Sequence, residues 1–590
     1  MKHLVLAGIL LVSSNFGKNS PGQPEITTTE LKQHIQYLAS DELGGRYPGT
    51  AGDEKAAKYI RDHFRSDGLK LLGNDGYQPF EVTIKVTAGK DNSYTHGTVH
   101  GKPMEDFTPL GFSGKSKLTA TVIFAGYGLQ INTDTFKWDD YKNIDPKGKW
   151  VLVLRGNPEI ANGSDRFKNG TLDRDKAMLA KDLGAAGVLL VSGADYDKMD
   201  ELVNLSYKDG PIGIPVFQIK KELADDLLKS SGKNVAMLEE SIKKEARPAS
   251  FATHESVTAS ADVEPLVAKT HNVMGILEGS DPALKEQYIV IGAHYDHLGM
   301  GGIGSTSRQP DTVAVHHGAD DNASGVADLL ELAEKFAAHR KELKRSILFI
   351  SFSAEEEGLL GSKYFTEHPL IDLKKVDAMI NLDMVGRLKE NRSLQINGVG
   401  TSVEASGIVT ALDADSAFRL TLSPEGYGPS DQTSFYAKNI PVLYFTTGGH
   451  MDYHTPRDTY DKINYEGLKA VGDYVYKIAE KVDQDPNRLT YKEAGPKTQD
   501  SYRARLKVTL GIMPDFTSTE NKGLRADFVT PGKPAFKAGM LKGDLIISIN
   551  GKPVNNIQDY MYRLSKLNHG DVANVEVIRN GKKELLIVQL

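Results

Sequence analysis

The sequence contains no cysteine, and that absence removes disulfides, thiolate metal sites and cysteine nucleophiles together. It has no excess of positive charge either: the formal net charge over 590 residues is −7, so there is no basic footprint for nucleic acid. No G-x-S-x-G turn is present to carry a serine nucleophile. Long apolar runs are also missing. The one early run, Leu4 to Val12 behind Met1-Lys2-His3, is too short to span a bilayer and resembles a secretory signal peptide. Residues 1–20 are expected to be that signal, placing the mature chain outside the cytoplasm, secreted or periplasmic, with no integral membrane segment.

What remains is an ordinary globular composition, 39% hydrophobic and 25% charged. At about 100–200 residues per domain the length calls for three or four units. Residues 27–106 are expected to be the N-terminal part of the main α/β domain. Within them 27–70 read as two helices around the breaker-rich turn Gly44-Gly45-Arg46-Tyr47-Pro48-Gly49, with Leu31, Ile35 and Leu38 on the first helix and Ala56, Ala57, Ile60 and Phe64 on the second. Residues 107–252 change to short strands and turns without a catalytic cluster and read as an insert. Residues 253–483 alternate apolar strands with amphipathic helices. The fold class this predicts is α/β, a mixed and largely parallel sheet with helices on both faces. A polar linker, 484–502, leads to a small β-rich module, 503–590, where Asn550-Gly551 and Asn580-Gly581 mark hairpins.

The chemistry is concentrated in five short stretches of the α/β unit. His294 and Asp296 follow an apolar strand, as do Glu355-Glu356-Glu357 and Asp383. Asp320-Asp321 precede a helix, and His454 follows the strand of Val442 to Phe445. In an open α/β sheet, strand ends and helix starts of this kind converge on one crevice. With thiolates excluded, a metal there is held by nitrogen and oxygen. Such a donor set suits zinc and also admits manganese or cobalt. Two metals need one shared carboxylate and two further ligands apiece, a number that His294, Asp321, Glu356, Asp383 and His454 supply. Glu355 is then free to act as a base. Each residue also has a plainer role. Asp321 could cap its helix, and the glutamate run could be a solvated turn. Asp383 is harder to dismiss, because a carboxylate ending an apolar strand needs a partner. His297, His316, His317 and His450 lie close enough in sequence to compete as ligands.

The motifs "AHYDHLG", "GADDNASG", "SAEEEGLLGS", "NLDMVG" and "YHTPRDT", in that order, resemble those of the co-catalytic zinc exopeptidases, a family that includes bacterial leucyl aminopeptidase, aminopeptidase Y and glutamate carboxypeptidase. The resemblance covers residues 27–482 apart from the insert. It implies two Zn²⁺ per chain, with His294, Glu356, Asp383 and His454 as ligands and Asp321 bridging the two ions. It also implies Asp296 as the partner that orients His294, and Glu355 as general base. Tyr427, in "GYGPSDQTSF", matches a tyrosine that polarises the substrate carbonyl in some members, and Tyr453 could serve instead. Many members have "SDH" where this chain has Ser430-Asp431-Gln432. The insert resembles a protease-associated domain. The C-terminal module resembles a PDZ domain, with Leu510-Gly511-Ile512-Met513 as a loop for a peptide C-terminus.

The expected activity is therefore removal of N-terminal residues from peptide substrates, an aminopeptidase. Carboxypeptidase or dipeptidase action is the alternative within the family. A non-catalytic peptide-binding scaffold would require lost ligands, and a glutaminyl cyclase would not use His294.

Overall fold

The computed structural model describes residues 25–132, 136–158, 167, 172–203, 205, 210–302, 305–494, 507–514, 522–530 and 532–590. The signal segment 1–20 and the linker residues 495–502 lie outside them.

Four strands are predominantly apolar and almost wholly buried: Ser346–Phe352, Tyr288–His294, Val376–Leu382 and Val442–Thr446. They lie side by side in that order and all run parallel. Continuous apolar runs are what a parallel strand covered on both faces requires. Antiparallel strands flank this centre, Val263–Leu277 on one side and Ser393–Asn397 on the other, within a sheet of nine strands.

The pleat divides the core in two. Ile289, Ile291, Ile347 and Phe349 pack against the helices Thr28–Leu38, Ala51–Ser66, Gly325–Ala338 and Tyr465–Gln484. Val290, Leu348 and Ile350 face the short helices Leu360–Glu367 and Gln432–Tyr436 through Phe365 and Phe435. Helices thus cover both faces of a mixed sheet.

The insert is built on its own eight-stranded sheet, centred on Trp150–Leu154 and Gly187–Val191. That sheet reaches beyond 107–252 at both ends: it includes the hairpin Ser93–His96 with Val99–Gly101, and the strand Phe251–Ala261. These added strands are half-exposed and rich in Thr, Ser and His, so they lack the apolar run that marks a central strand.

In the C-terminal module Val572–Arg579 pairs with Lys582–Gln589, and Arg579 lies opposite Lys582. The two-residue loop between them has φ of 50° at Asn580 and 76° at Gly581, the left-handed pair that a tight hairpin demands. Among the described residues no helix is long and apolar enough to cross a membrane.

Candidate metal centre

Three of the central strands end at the same edge of the sheet, and each delivers a donor. His294 closes its strand, Asp383 follows Leu382, and Glu355 and Glu356 follow Phe352 by three and four residues. Asp321 approaches from the turn before the helix Gly325–Ala338, and His454 from the loop after Thr446. The turn at Asp321 is tight. Gly318 has φ of 57°, and a Cβ there would lie 2.2 Å from the Asp321 carbonyl oxygen and 2.7 Å from the His297 ring. Only glycine fits that position.

Asp321 stands at the centre of two donor groups. Its Oδ1 is 3.3 Å from His294 Nε2, which is itself 3.3 Å from Asp383 Oδ1. Its Oδ2 is 3.2 Å from His454 Nε2, which is 3.1 Å from Glu356 Oε2. His297 joins the second group: its Nδ1 donates to Glu356 Oε1 at 2.8 Å and lies 3.7 Å from Asp321 Oδ2. The donor atoms of His294, Asp321 and Asp383 lie within 4.8 Å of one another, and so do those of His297, Asp321 and Glu356.

The other histidines turn elsewhere. His316 pairs with Ser307, His317 with Asp41, and His450 with Asp320. Sequence position alone ranked His297 with these three. The signal that separates it is its place in the same loop as His294, three residues on.

The fit to a metal can be judged from His454. Its Nε2 is buried and makes no aligned hydrogen bond, although two carboxylate oxygens crowd it at 3.1 and 3.2 Å. Groups that are close but misaligned in this way are turned toward a common third point. Imidazole and carboxylate donors in that arrangement suit zinc.

The charges are mutually dependent. Burial lowers the His454 pKa, but Asp321 and Glu356 outweigh it and raise the imidazole to about 10. Burial also favours the neutral form of Asp321, yet His294 and His454 hold it well below the usual carboxylate range. Glu355 behaves differently. Burial pushes its carboxyl well up, His294 opposes this, and Asp383 and Glu356 add to it. Glu355 lies 4.0 Å from His294 Nε2 and belongs to neither donor group.

Asp296 ties two of the loops together. Its Oδ1 and Oδ2 accept the backbone N–H groups of Glu355 and Glu356 at 3.0 and 3.3 Å. His294 Nδ1 meets its carbonyl oxygen at 3.2 Å and its Oδ1 at 3.6 Å. One carboxylate therefore orients an imidazole and holds both glutamates.

Two further residues brace the site. Asp458 Oδ2 accepts the backbone N–H groups of Asp320 and Asp321 at 2.9 and 3.1 Å. Arg46, fully buried, donates to the carbonyl oxygens of Tyr295, His317 and Gly318 at 2.6, 2.8 and 3.0 Å, and to that of Leu38. It thus holds the loops of His294 and Asp321 to the N-terminal turn. Ala354, Met384 and His454 all have left-handed φ, 56°, 57° and 55°. Ala354 precedes Glu355, Met384 follows Asp383, and His454 is itself a donor. Such conformations cost about 1–3 kcal/mol and gather where a site overrides local preference.

The tyrosines part company. Tyr427 packs on the apolar cluster of Val290 and Phe435, and burial alone raises its phenol to about 12. Tyr453 stacks on His454 with ring centroids 3.8 Å apart. Its phenol is raised by burial and then by Asp321, Glu356, Glu355 and Asp383, so it stands within the field of the site. Gln432, at the position of the missing histidine, accepts from Asn381 Nδ2 at 3.0 Å.

Residues 272–479 match the profile of peptidase family M28, residues 118–227 that of the PA domain, and residues 509–590 that of the PDZ domain. Aminopeptidase YwaD of Bacillus subtilis (strain 168) is 28% identical over 455 residues, spanning 74% of this chain and 81% of YwaD. Among solved structures, the aminopeptidase from Aneurinibacillus sp. strain AM-1 is similar at 25% identity and a TM-score of 0.46, over 80% of this chain and 95% of that one. BSAP, a zinc aminopeptidase from Bacillus subtilis, is similar at 23% identity and a TM-score of 0.47, over 79% of this chain and 98% of its own.

Proposed function

We propose how a chain whose α/β domain belongs to peptidase family M28, and which also carries a PA and a PDZ domain, works as a zinc-dependent aminopeptidase. The observation that carries the reading is the placement of Asp321, with one oxygen toward His294 and Asp383 and the other toward His454 and Glu356. This supports two zinc ions per chain that share Asp321. His294 and Asp383 would hold one ion, and Glu356 and His454 the other. Zinc held there supplies a water of lowered pKa and polarises the substrate carbonyl.

The chain's own groups do the rest. Glu355, beside the donors but in neither group, acts as a carboxylate that takes the proton of the attacking water and returns it to the leaving amine; the upward push of burial on its pKa makes it a stronger base. Asp296 keeps the His294 imidazole and the Glu355 backbone in register. Tyr453 is better placed than Tyr427 to donate to the oxyanion, because it alone of the two feels the site carboxylates.

Action at the amino end has its own support. A carboxypeptidase needs a cation for the free carboxylate. Arg387 and Arg457 are both committed to Asp452, at 2.8 and 3.2 Å, and YwaD, matched over 74% of this chain, is an aminopeptidase. Export to the periplasm or medium is supported by the basic start and short apolar run. A peptide C-terminus at the PDZ domain is supported by Leu510-Gly511-Ile512, where Gly511 has φ of 77°. The deciding experiment is a peptide ladder incubated with and without chelator and read by mass. Loss of residues from the N-terminus, abolished by the chelator and restored by zinc, is expected. Shortening from the C-terminus would overturn the reading.

A further inference from the structure

A cavity of about 950 Å³ opens beside the metal centre. Three of its lining residues adjoin that centre. Leu298 follows His297, Glu357 follows Glu356, and Thr306 accepts His454 Nδ1 on its carbonyl oxygen at 3.1 Å. The insert closes the far side with Met104 and Leu205.

One wall is formed by residues 84–88, five in a row. Alternate side chains of a strand point to opposite faces, so consecutive residues can line one cavity only along the strand's edge. These residues end the strand Tyr77–Ala88, which pairs antiparallel with Val263–Leu277. Among the described residues, no other strand pairs with it. Every second residue of such an edge turns its N–H and C=O away from its partner. The Tyr47 hydroxyl donates to the Ile84 carbonyl oxygen at 3.1 Å, so the open backbone edge runs from Lys85 to Ala88, with Val86, Met104, Leu298 and Met300 as apolar surface around it.

We propose that the leaving part of the peptide substrate binds in this cavity as an added β-strand along residues 85–88. The inference rests on the aminopeptidase reading of the metal centre. Four strand residues span about 13 Å, enough for three or four substrate residues beyond the scissile bond. Main-chain pairing of this kind gives affinity without demanding a sequence, and the apolar walls favour apolar side chains at alternate positions. The substrates are then oligopeptides rather than dipeptides.

The test uses an aminoacyl anilide, a dipeptide and an octapeptide with one shared N-terminal residue. It adds a series of octapeptides, each N-methylated at a single amide from the third residue to the sixth. KM is expected to fall at least about ten-fold from dipeptide to octapeptide. N-methylation should raise it about five-fold at alternate positions, one hydrogen bond each, and leave the positions between unchanged. A KM independent of length, or N-methyl effects without alternation, overturns the proposal. If neither the anilide nor any peptide is cleaved at its N-terminus, the underlying reading fails and this inference fails with it.

Discussion

The His297 imidazole donates through Nδ1 to Glu356 Oε1 at 2.8 Å. Glu356 Oε2 is thereby left facing His454 Nε2. A carboxylate with one oxygen held in this way presents the other in a fixed direction, which is how an outer partner raises metal affinity. His297→Phe is expected to weaken zinc binding about 10- to 100-fold in a competition titration. With saturating zinc the variant should recover most of its kcat. Loss of a full equivalent of zinc, not recovered at saturation, would make His297 a ligand.

Glu355 is close to both donor groups and part of neither. Glu355→Gln should lower kcat by about 10²- to 10⁴-fold while zinc content, read by native mass spectrometry, is unchanged. Zinc loss in this variant would move Glu355 from base to ligand.

The two tyrosines give a paired experiment. Tyr453→Phe removes a donor from within the field of the site, and kcat should drop about 10²-fold or more with KM little changed. Tyr427→Phe removes a hydroxyl whose pKa reflects burial alone, and turnover should stay near that of the parent. The reverse order would return the role to Tyr427.

The architecture of the α/β domain was legible because its four central strands are largely apolar runs, three of which lead within four residues to an imidazole or carboxylate of the site. The bracing around those residues was not. Arg46 sits in a turn that reads only as Gly-Gly-Arg-Tyr-Pro-Gly punctuation, yet its guanidinium spans three segments far apart in sequence. Asp458 lies in the quoted motif "YHTPRDT", but its role depends on backbone N–H groups 137 and 138 residues away. No local pattern announces a bond from a side chain to a distant backbone. The insert's outer strands were hidden for a different reason: they are half-exposed and polar, so periodicity gave them no weight.

Asp53 offers a pH test away from the donors. It is fully buried, and burial is the largest influence on its carboxyl, raising it to about 7 against the hydrogen bonds from Gly49 and Thr270. Its folded pKa exceeds its unfolded value of 3.8. Its contribution is therefore fully present below about pH 4 and is lost as the pH rises through about 7, on the order of 4 kcal/mol. Asp53→Asn cannot ionise, and its amide can still face Ser353 Oγ. The melting temperature of chelated Asp53→Asn, relative to chelated parent, should therefore rise between pH 4 and pH 8. A pH-independent difference would show that Asp53 titrates normally.

The PDZ domain is held against the insert by buried charge. Arg174 Nη2 of the insert donates to Asp559 Oδ1 at 2.7 Å, with side-chain exposures of 6% and 0%. Beside it Tyr562 enters the insert's apolar cluster of Val188, Leu190 and Ile212, and Arg563 reaches Asp182. Breaking such a pair from one side leaves the other charge buried and uncompensated, at a cost of about 3–5 kcal/mol. Removing both charges costs much less. Arg174→Met and Asp559→Asn should therefore each destabilise the protein in thermal denaturation, and the double variant should be no less stable than the worse single one. Coupled residues depart from additivity by about 0.5–3 kcal/mol. Strict additivity would mean that the two side chains do not share this contact in solution, and that the domain docks through Tyr562 and the Arg563–Asp182 pair.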